Sequence, residues 1–172
     1  MPLRRHNHLE EIISTLTNDG IDFIICGGVA LVLHGIERLT IDLDLSVDMQ
    51  EINLQRFLKA MKQLGLSPRA PVPAESLLDP LKREIMIKEK NALVFTFIDT
   101  KNPYRQVDVF LTDMHSYDSL KQGSEEIMLG GQQVKLVSKE TLLKMKKKID
   151  PPRDKDLFDI QMLEKILRKS RE

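Results

Sequence analysis

Apolar residues at 9, 12, 13 and 16 recur with the spacing of one helical face and predict a helix over Leu9–Leu16, stopped by Asn18-Asp19-Gly20. The apolar run Ile21–Cys26 predicts a buried strand, and Gly27-Gly28 the turn after it. Val29–His34 is compact and apolar, a short helix that starts at the glycines and closes at Gly35. Thr40–Val47 then alternates as a strand. Its period of two puts Ile41, Leu43, Leu45 and Val47 on one face and Asp42 and Asp44 on the other.

Helical spacing returns over Asn53–Leu64 and ends at Gly65. Residues 68–80 carry Pro68, Pro71, Pro73 and Pro80, which predict an ordered loop or lid. Leu81–Lys90 reads as a short helix. Ala92–Asp99 and Arg105–Thr112 read as strands joined through Thr100–Tyr104, and Glu126–Val137, with Gly130-Gly131 inside it, as a second hairpin. Ser138-Lys139-Glu140-Thr141 caps a helix running to Lys148, Pro151-Pro152 interrupts, and Asp156–Leu167 forms a last amphipathic helix. Met86, Met128, Met145 and Met162 are expected as core filler. The fold class is α+β: a small mixed sheet flanked by helices, with a helical C-terminal end. Residues 1–137 form the core unit, and 138–172 pack on it within one structural domain.

Composition changes this picture little. A chain of 172 residues with 41% hydrophobic and 30% charged content suits one substantial core. Lys plus Arg equal Asp plus Glu, 26 each, so no global field points to nucleic acid or membrane. From Lys135 to Glu172, however, twelve basic residues face seven acidic ones, a net of +5 that favours a phosphate-rich partner. One cysteine excludes an intramolecular disulfide, and Cys26 reads as a small buried hydrophobe. No apolar run approaches the ~20 residues of a membrane helix. Met1–His8 leads into Leu9-Glu10-Glu11 and not into an apolar signal core, so a cytoplasmic protein is expected.

The candidate chemistry lies at Cys26-Gly27-Gly28 and, fourteen residues after Gly28, at Asp42-Leu43-Asp44-Leu45. On a strand, Asp42 and Asp44 project from one face roughly 6.5–7 Å apart. Two carboxylates that close raise each other's pKa, a conflict that a hard cation such as Mg²⁺ removes. Asp108, in Gln106-Val107-Asp108-Val109-Phe110, joins them if its strand lies beside theirs. Asp99 at a turn, Asp113 at a strand end and Asp48 beyond Val47 are set aside. Acids on the solvent face of a surface strand remain the plain reading of Asp-x-Asp alone. The glycine turn at this spacing shifts the balance towards a site.

The glycine turn, the thirteen-residue spacing and the apolar-flanked Asp-x-Asp resemble the nucleotidyltransferase superfamily that includes DNA polymerase beta, and within it the minimal nucleotidyltransferases. His34-Gly35-Ile36-Glu37-Arg38-Leu39-Thr40 is similar to the lead-in of the AbiEii type. So are Leu142–Lys146 and Arg153-Asp154-Lys155-Asp156-Leu157-Phe158-Asp159-Ile160 at the C-terminal end. The resemblance implies a polymerase-beta-like fold, a toxin–antitoxin connection, and transfer of a nucleoside monophosphate from a nucleoside triphosphate, with ATP favoured, to a hydroxyl. The acceptor would be RNA, a protein or a small molecule such as an aminoglycoside.

It further implies Asp42, Asp44 and Asp108 as catalytic ligands of two Mg²⁺ ions, with Mn²⁺ as the substitute. Gly27 and Gly28 would bring backbone N–H groups to the phosphates, and Arg38 and Lys146 would contact the triphosphate. From the residues alone, Arg38 reads equally as a solvated loop arginine. The run Lys144–Lys148 leaves open which lysine turns inward, and the motif alignment favours Lys146. Asp156 and Asp159 are expected as structural caps or ion pairs with Arg153 or Lys155, and His34 as a packed, hydrogen-bonded histidine. Two other readings stand beside transfer: a catalytically silent nucleotide- or partner-binding member of the fold, and a metal-dependent phosphohydrolase. The glycine turn and the lack of a His/Asp metal motif count against the second.

Overall fold

The computed structural model describes residues 8–172; the leader expectation drawn from residues 1–7 lies outside them. Helix α1 (His8–Asn18) buries Ile12, Ile13 and Leu16, the face its spacing predicts. Strand β1 (Phe23–Cys26) is buried throughout and starts two residues later than its apolar run. The reason is local. Ile21 N–H donates to the Leu16 carbonyl at the end of α1, and Asp22 exchanges both backbone bonds with the Asn53 side chain (2.8 and 3.1 Å).

Helix α2 (Gly27–Leu33) follows at once, and β2 (Leu43–Val47) returns antiparallel to β1. The expected strand from Thr40 is shortened at its start: β1 ends at Cys26, opposite Asp44, so residues 40–42 have no partner on that side. Ile41, assigned to the buried face, is instead 40% exposed.

Helix α3 (Glu51–Gln63) buries Leu54, Phe57, Leu58 and Met61. The proline-rich segment contains a two-residue strand β3 (Ser67–Pro68) and a 3₁₀ turn (Ala74–Leu78), more regular structure than the loop expected. Helix α4 (Pro80–Lys90) begins where Asp79 caps it, Oδ1 accepting from Leu81 N–H at 2.9 Å, with proline in the first turn. Strands β4 (Val94–Asp99) and β5 (Asn102–Phe110) form the expected hairpin with a tighter turn. Asp99 Oδ1 accepts from Lys101 N–H, and pairing resumes at Asn102. A 3₁₀ turn (Asp113–His115) and α5 (Tyr117–Lys121) were not foreseen, being too short to show a period. The chain closes with β6 (Ser124–Leu129), β7 (Gln132–Val137), α6 (Lys139–Lys147) and α7 (Asp154–Lys169).

The seven strands make one sheet in the order β3-β4-β5-β2-β1-β7-β6. The β1–β7 and β2–β5 pairs are parallel and the others antiparallel, so the fold is the mixed α+β arrangement expected. The apolar face of the sheet meets α3, where Phe57 and Phe97 pack edge to face with centroids 5.8 Å apart. One core cluster runs from Ile12 to Leu163 and takes in Leu142 of α6. Met86, Met145 and Met162 lie against it, but Met128 is 66% exposed, on the outward side of edge strand β6, and fills no core. Among the described residues no helix is long and apolar enough to cross a membrane.

Phe57 is fully buried. Phe57→Ala should therefore destabilise by about 3–5 kcal/mol in urea unfolding. Leu39→Ala, at a position 84% exposed, should stay within about 0.5 kcal/mol.

Candidate active site

Sheet register gathers the site. Cys26 lies opposite Asp44, Asp44 opposite Asp108, and Asp108 opposite Thr96, a lateral row across β1, β2, β5 and β4. Arg69 extends it, its N–H donating to the Thr96 carbonyl at 2.9 Å. Because β2 and β5 run parallel in register, Asp44 and Asp108 share a face, and the Asp108 charge acts on the Asp44 carboxyl. Asp108 Oδ1 accepts from Thr96 Oγ1 at 2.6 Å, and Gln106 Nε2 donates to both its oxygens at 3.2 and 3.3 Å.

The electrostatics follow from this crowding. Burial, then the charges of Asp108 and Asp42, push the Asp44 carboxyl up to about 7 against the opposing pull of Lys146. Asp42, just ahead of β2, is raised by burial and by Asp108, while Arg69 and Lys155 oppose the shift. All three carboxylates named from the sequence thus act on one another.

The glycine turn is fitted to this row. Gly27 has φ +60°, and a Cβ there would sit 2.0 Å from Asp44 Oδ2. At Gly28 a Cβ would fall 2.6 Å from Thr40 Oγ1 and 3.7 Å from Arg38 Cζ. A side chain at either position would displace the groups around it.

Arg38 is an ion-paired residue and not a solvated loop arginine: Nη1 pairs with Asp159 Oδ2. Of the lysine run, Lys146 is the one turned inward, with Nζ 3.0 Å from both Asp156 Oδ1 and Asp159 Oδ2. Lys147 pairs outward with Glu164. Asp156 and Asp159 are fully buried. Hydrogen bonds from Arg153 and Lys146 hold the Asp156 carboxyl well below the usual carboxylate range. The capping role expected for Asp156 is present, through Arg153 N–H and Nε. Asp159, by contrast, reaches Arg38, 121 residues away along the chain, a pairing the sequence does not signal. His34 Nε2 donates to the Val137 carbonyl at 2.7 Å, the packed histidine expected.

Three further residues belong to this neighbourhood without having been singled out. Thr96 stood at an alternate position of a predicted strand, but only the β4–β5 register ties it to Asp108. Thr40 stood in the lead-in motif. Arg69 lies in the proline-rich segment, where no periodicity gives a residue a direction.

The donor set is carboxylate oxygen throughout, which suits a hard divalent cation, and two raised carboxyls are the groups such a charge would relieve. Among the described residues no three His, Cys, Asp or Glu side chains are already gathered as a metal cage. The arrangement is an open set, Asp44 beside Asp108, with Asp42 at the edge.

Residues 13–170 match the family described as nucleotidyl transferase AbiEii toxin, type IV TA system. The chain belongs to the AbiEii nucleotidyltransferase family. No curated protein matches it in sequence. Its fold is shared with lincosamide antibiotic adenylyltransferase LnuA in its lincomycin-bound form, at TM-score 0.60 and 17% identity over 91% of this chain and 94% of that one. It is shared with ANT(2'')-Ia in complex with adenylyl-2''-tobramycin, at TM-score 0.60 and 14% identity over 92% and 87%. A putative nucleotidyltransferase of Thermotoga maritima aligns at TM-score 0.54 and 13% identity over 96% and 99%. The fold is the one the glycine turn and Asp-x-Asp led us to expect, and the family the one that the His34–Thr40 lead-in and the C-terminal stretches resemble.

A carboxyl raised from 3.8 to about 7 holds its proton in the native state longer than in the unfolded chain. Its contribution is complete below the lower value and is lost as pH climbs through the higher one. Asp44→Asn escapes that loss. The melting temperature of the variant relative to the parent should rise by several degrees between about pH 5 and pH 8, measured without divalent metal. A difference that is constant across this range would contradict the carboxylate crowding.

Proposed function

We propose that this AbiEii-family protein transfers a nucleoside monophosphate from a nucleoside triphosphate, ATP being favoured, to a hydroxyl acceptor, with Asp42, Asp44 and Asp108 as its catalytic carboxylates. The observation that carries this reading is the row itself: two carboxyls side by side on parallel strands, one of them in the space that a Cβ of Gly27 would need. That juxtaposition supports reading a phosphate site set against a cation site.

The three carboxylates would hold Mg²⁺, as two ions or with Mn²⁺ in its place; the bound metal would lower the pKa of the acceptor hydroxyl and offset triphosphate charge. The chain's own residues do the rest. Gly27 and Gly28 let the α- and β-phosphates approach the backbone closely. Arg38 and Lys146 draw the pyrophosphate end. Around them Arg38, Lys146 and Arg153 face Asp156 and Asp159, three cations to two carboxylates, so one positive charge remains for the ligand. Held by buried partners, these cations lose little freedom when phosphate arrives.

In the reaction the acceptor oxygen attacks the α-phosphorus and forms the new P–O bond. The bond to the bridging oxygen of the departing pyrophosphate breaks, and the hydroxyl proton passes to Asp108 and on to solvent. The family description makes toxin–antitoxin biology the setting for such a transfer.

Incubation with each α-labelled nucleoside triphosphate, Mg²⁺ and candidate acceptors should release pyrophosphate and label the acceptor. Asp42→Asn/Asp44→Asn should lower this rate at least about a hundredfold, and a chelator should abolish it. Arg38→Ala and Lys146→Ala should chiefly raise KM for the triphosphate. Label that persisted in the double variant would sink the mechanism. A triphosphate that raised the melting temperature without any transfer would point to a silent, nucleotide-binding member of the family.

A further inference from the structure

Beyond Asp108 the lateral row opens into a cavity of about 520 Å³, within the range of small-molecule sites. It lies between the proline-rich segment, α4 and strand β4. Its walls are chiefly apolar, with Val72, Ile85, Met86 and Val94 among them. Two of its lining residues belong also to the carboxylate row. Thr96 donates to Asp108, and Arg69 bonds the Thr96 backbone and acts on the charge of Asp42. The row therefore has two ends: the glycine turn with Arg38 and Lys146 at β1, and this cavity at β4.

The charges at the cavity have one sign. Arg69, Lys82 and Lys90 line it, and among the described residues no Asp or Glu does. At its mouth Ile85 is 46% exposed, an apolar side chain left uncovered where a ligand would lie.

We propose that this cavity is the acceptor site, and that it takes a small hydroxyl-bearing anion with an apolar body, its carboxylate or phosphate meeting the Arg69–Lys82–Lys90 side and its hydroxyl directed at Asp108. The assignment rests on the nucleotidyl-transfer reading above for its chemistry, but its binding chemistry stands on the cavity alone. A polycationic acceptor, such as the tobramycin moiety in the ANT(2'')-Ia complex, meets three like charges on the described lining and finds carboxylates only at the Asp108 end. An RNA strand would favour an open basic groove over a largely apolar pocket.

Anilinonaphthalene sulfonate, an apolar anion, is a suitable probe, read by its fluorescence on the full chain. It should bind saturably at one site. Ala92→Phe, which fills the cavity, and Lys82→Glu/Lys90→Glu, which reverses its exposed charges without touching the core, should each weaken binding at least about tenfold. Asp42→Asn/Asp44→Asn should leave probe binding unchanged while removing transfer, so the failure of one reading is distinguishable from the failure of the other. A hydroxylated aromatic carboxylate should displace the probe, and in the labelled assay its KM should rise in Lys82→Glu/Lys90→Glu with the nucleotide-induced melting shift intact. The proposal is overturned if the probe does not saturate, or if both cavity variants bind it as the parent does. Displacement by tobramycin or total RNA in preference to the carboxylate would overturn it equally.

Discussion

The structure turns on two carboxylates held side by side. Asp44 and Asp108 stand in register on parallel strands, each half-buried, where unit charges a few ångströms apart repel by on the order of a few kcal/mol. A flexible loop would swing them apart. The sheet cannot, because Leu43, Leu45, Val107 and Val109 alternate with the acids and are fully buried on the opposite face. Moving either carboxylate by one residue would turn its strand's apolar set towards solvent. The core therefore enforces the crowding, and the Asp44 carboxyl registers it by retaining its proton towards neutrality.

A second balance of charge is arranged around the first. Asp156 and Asp159 are taken fully out of solvent, which is tolerable only because Arg153, Lys146 and Arg38 answer them. The pairing fastens α7 and α6 to the segment after α2, so the C-terminal helices hold the cations that face the glycine turn. Loss of one partner would leave a buried charge unanswered, an effect far larger than loss of a surface ion pair such as Lys88–Glu84. Stability and the proposed phosphate recognition thus draw on the same five side chains.

Much of this was legible in the chain because a period of two and a glycine pair are local signals. Asp44 and Asp108 could each be placed on a strand, and Gly27 and Gly28 at the turn after β1, from local pattern alone, while Asp42, expected on the same strand as Asp44, lies just ahead of it. What alternation cannot supply is which strands are neighbours. The β2–β5 register that sets Asp44 against Asp108, and the β4 register that adds Thr96, are long-range facts. Asp159 was expected to cap or to pair with nearby Arg153 or Lys155, because its partner Arg38 lies across the fold. Arg69 was hidden by prolines that suppress any period. The errors have the same origin: Ile41 and Met128 follow their local pattern, but one lies before the first strand pairing and the other on a sheet edge, where tertiary context withdraws burial.

The central claim, that the carboxylate row is a divalent-cation site, is tested most directly by titrating the protein with Mn²⁺ and following the free ion by electron paramagnetic resonance. Saturable binding is expected in the parent and should be lost in Asp44→Asn and in Asp108→Asn. It should survive in Asp48→Asn and Asp99→Asn, whose carboxylates are engaged in turns away from the row. Equal binding in all five proteins, or none in the parent, would contradict the account.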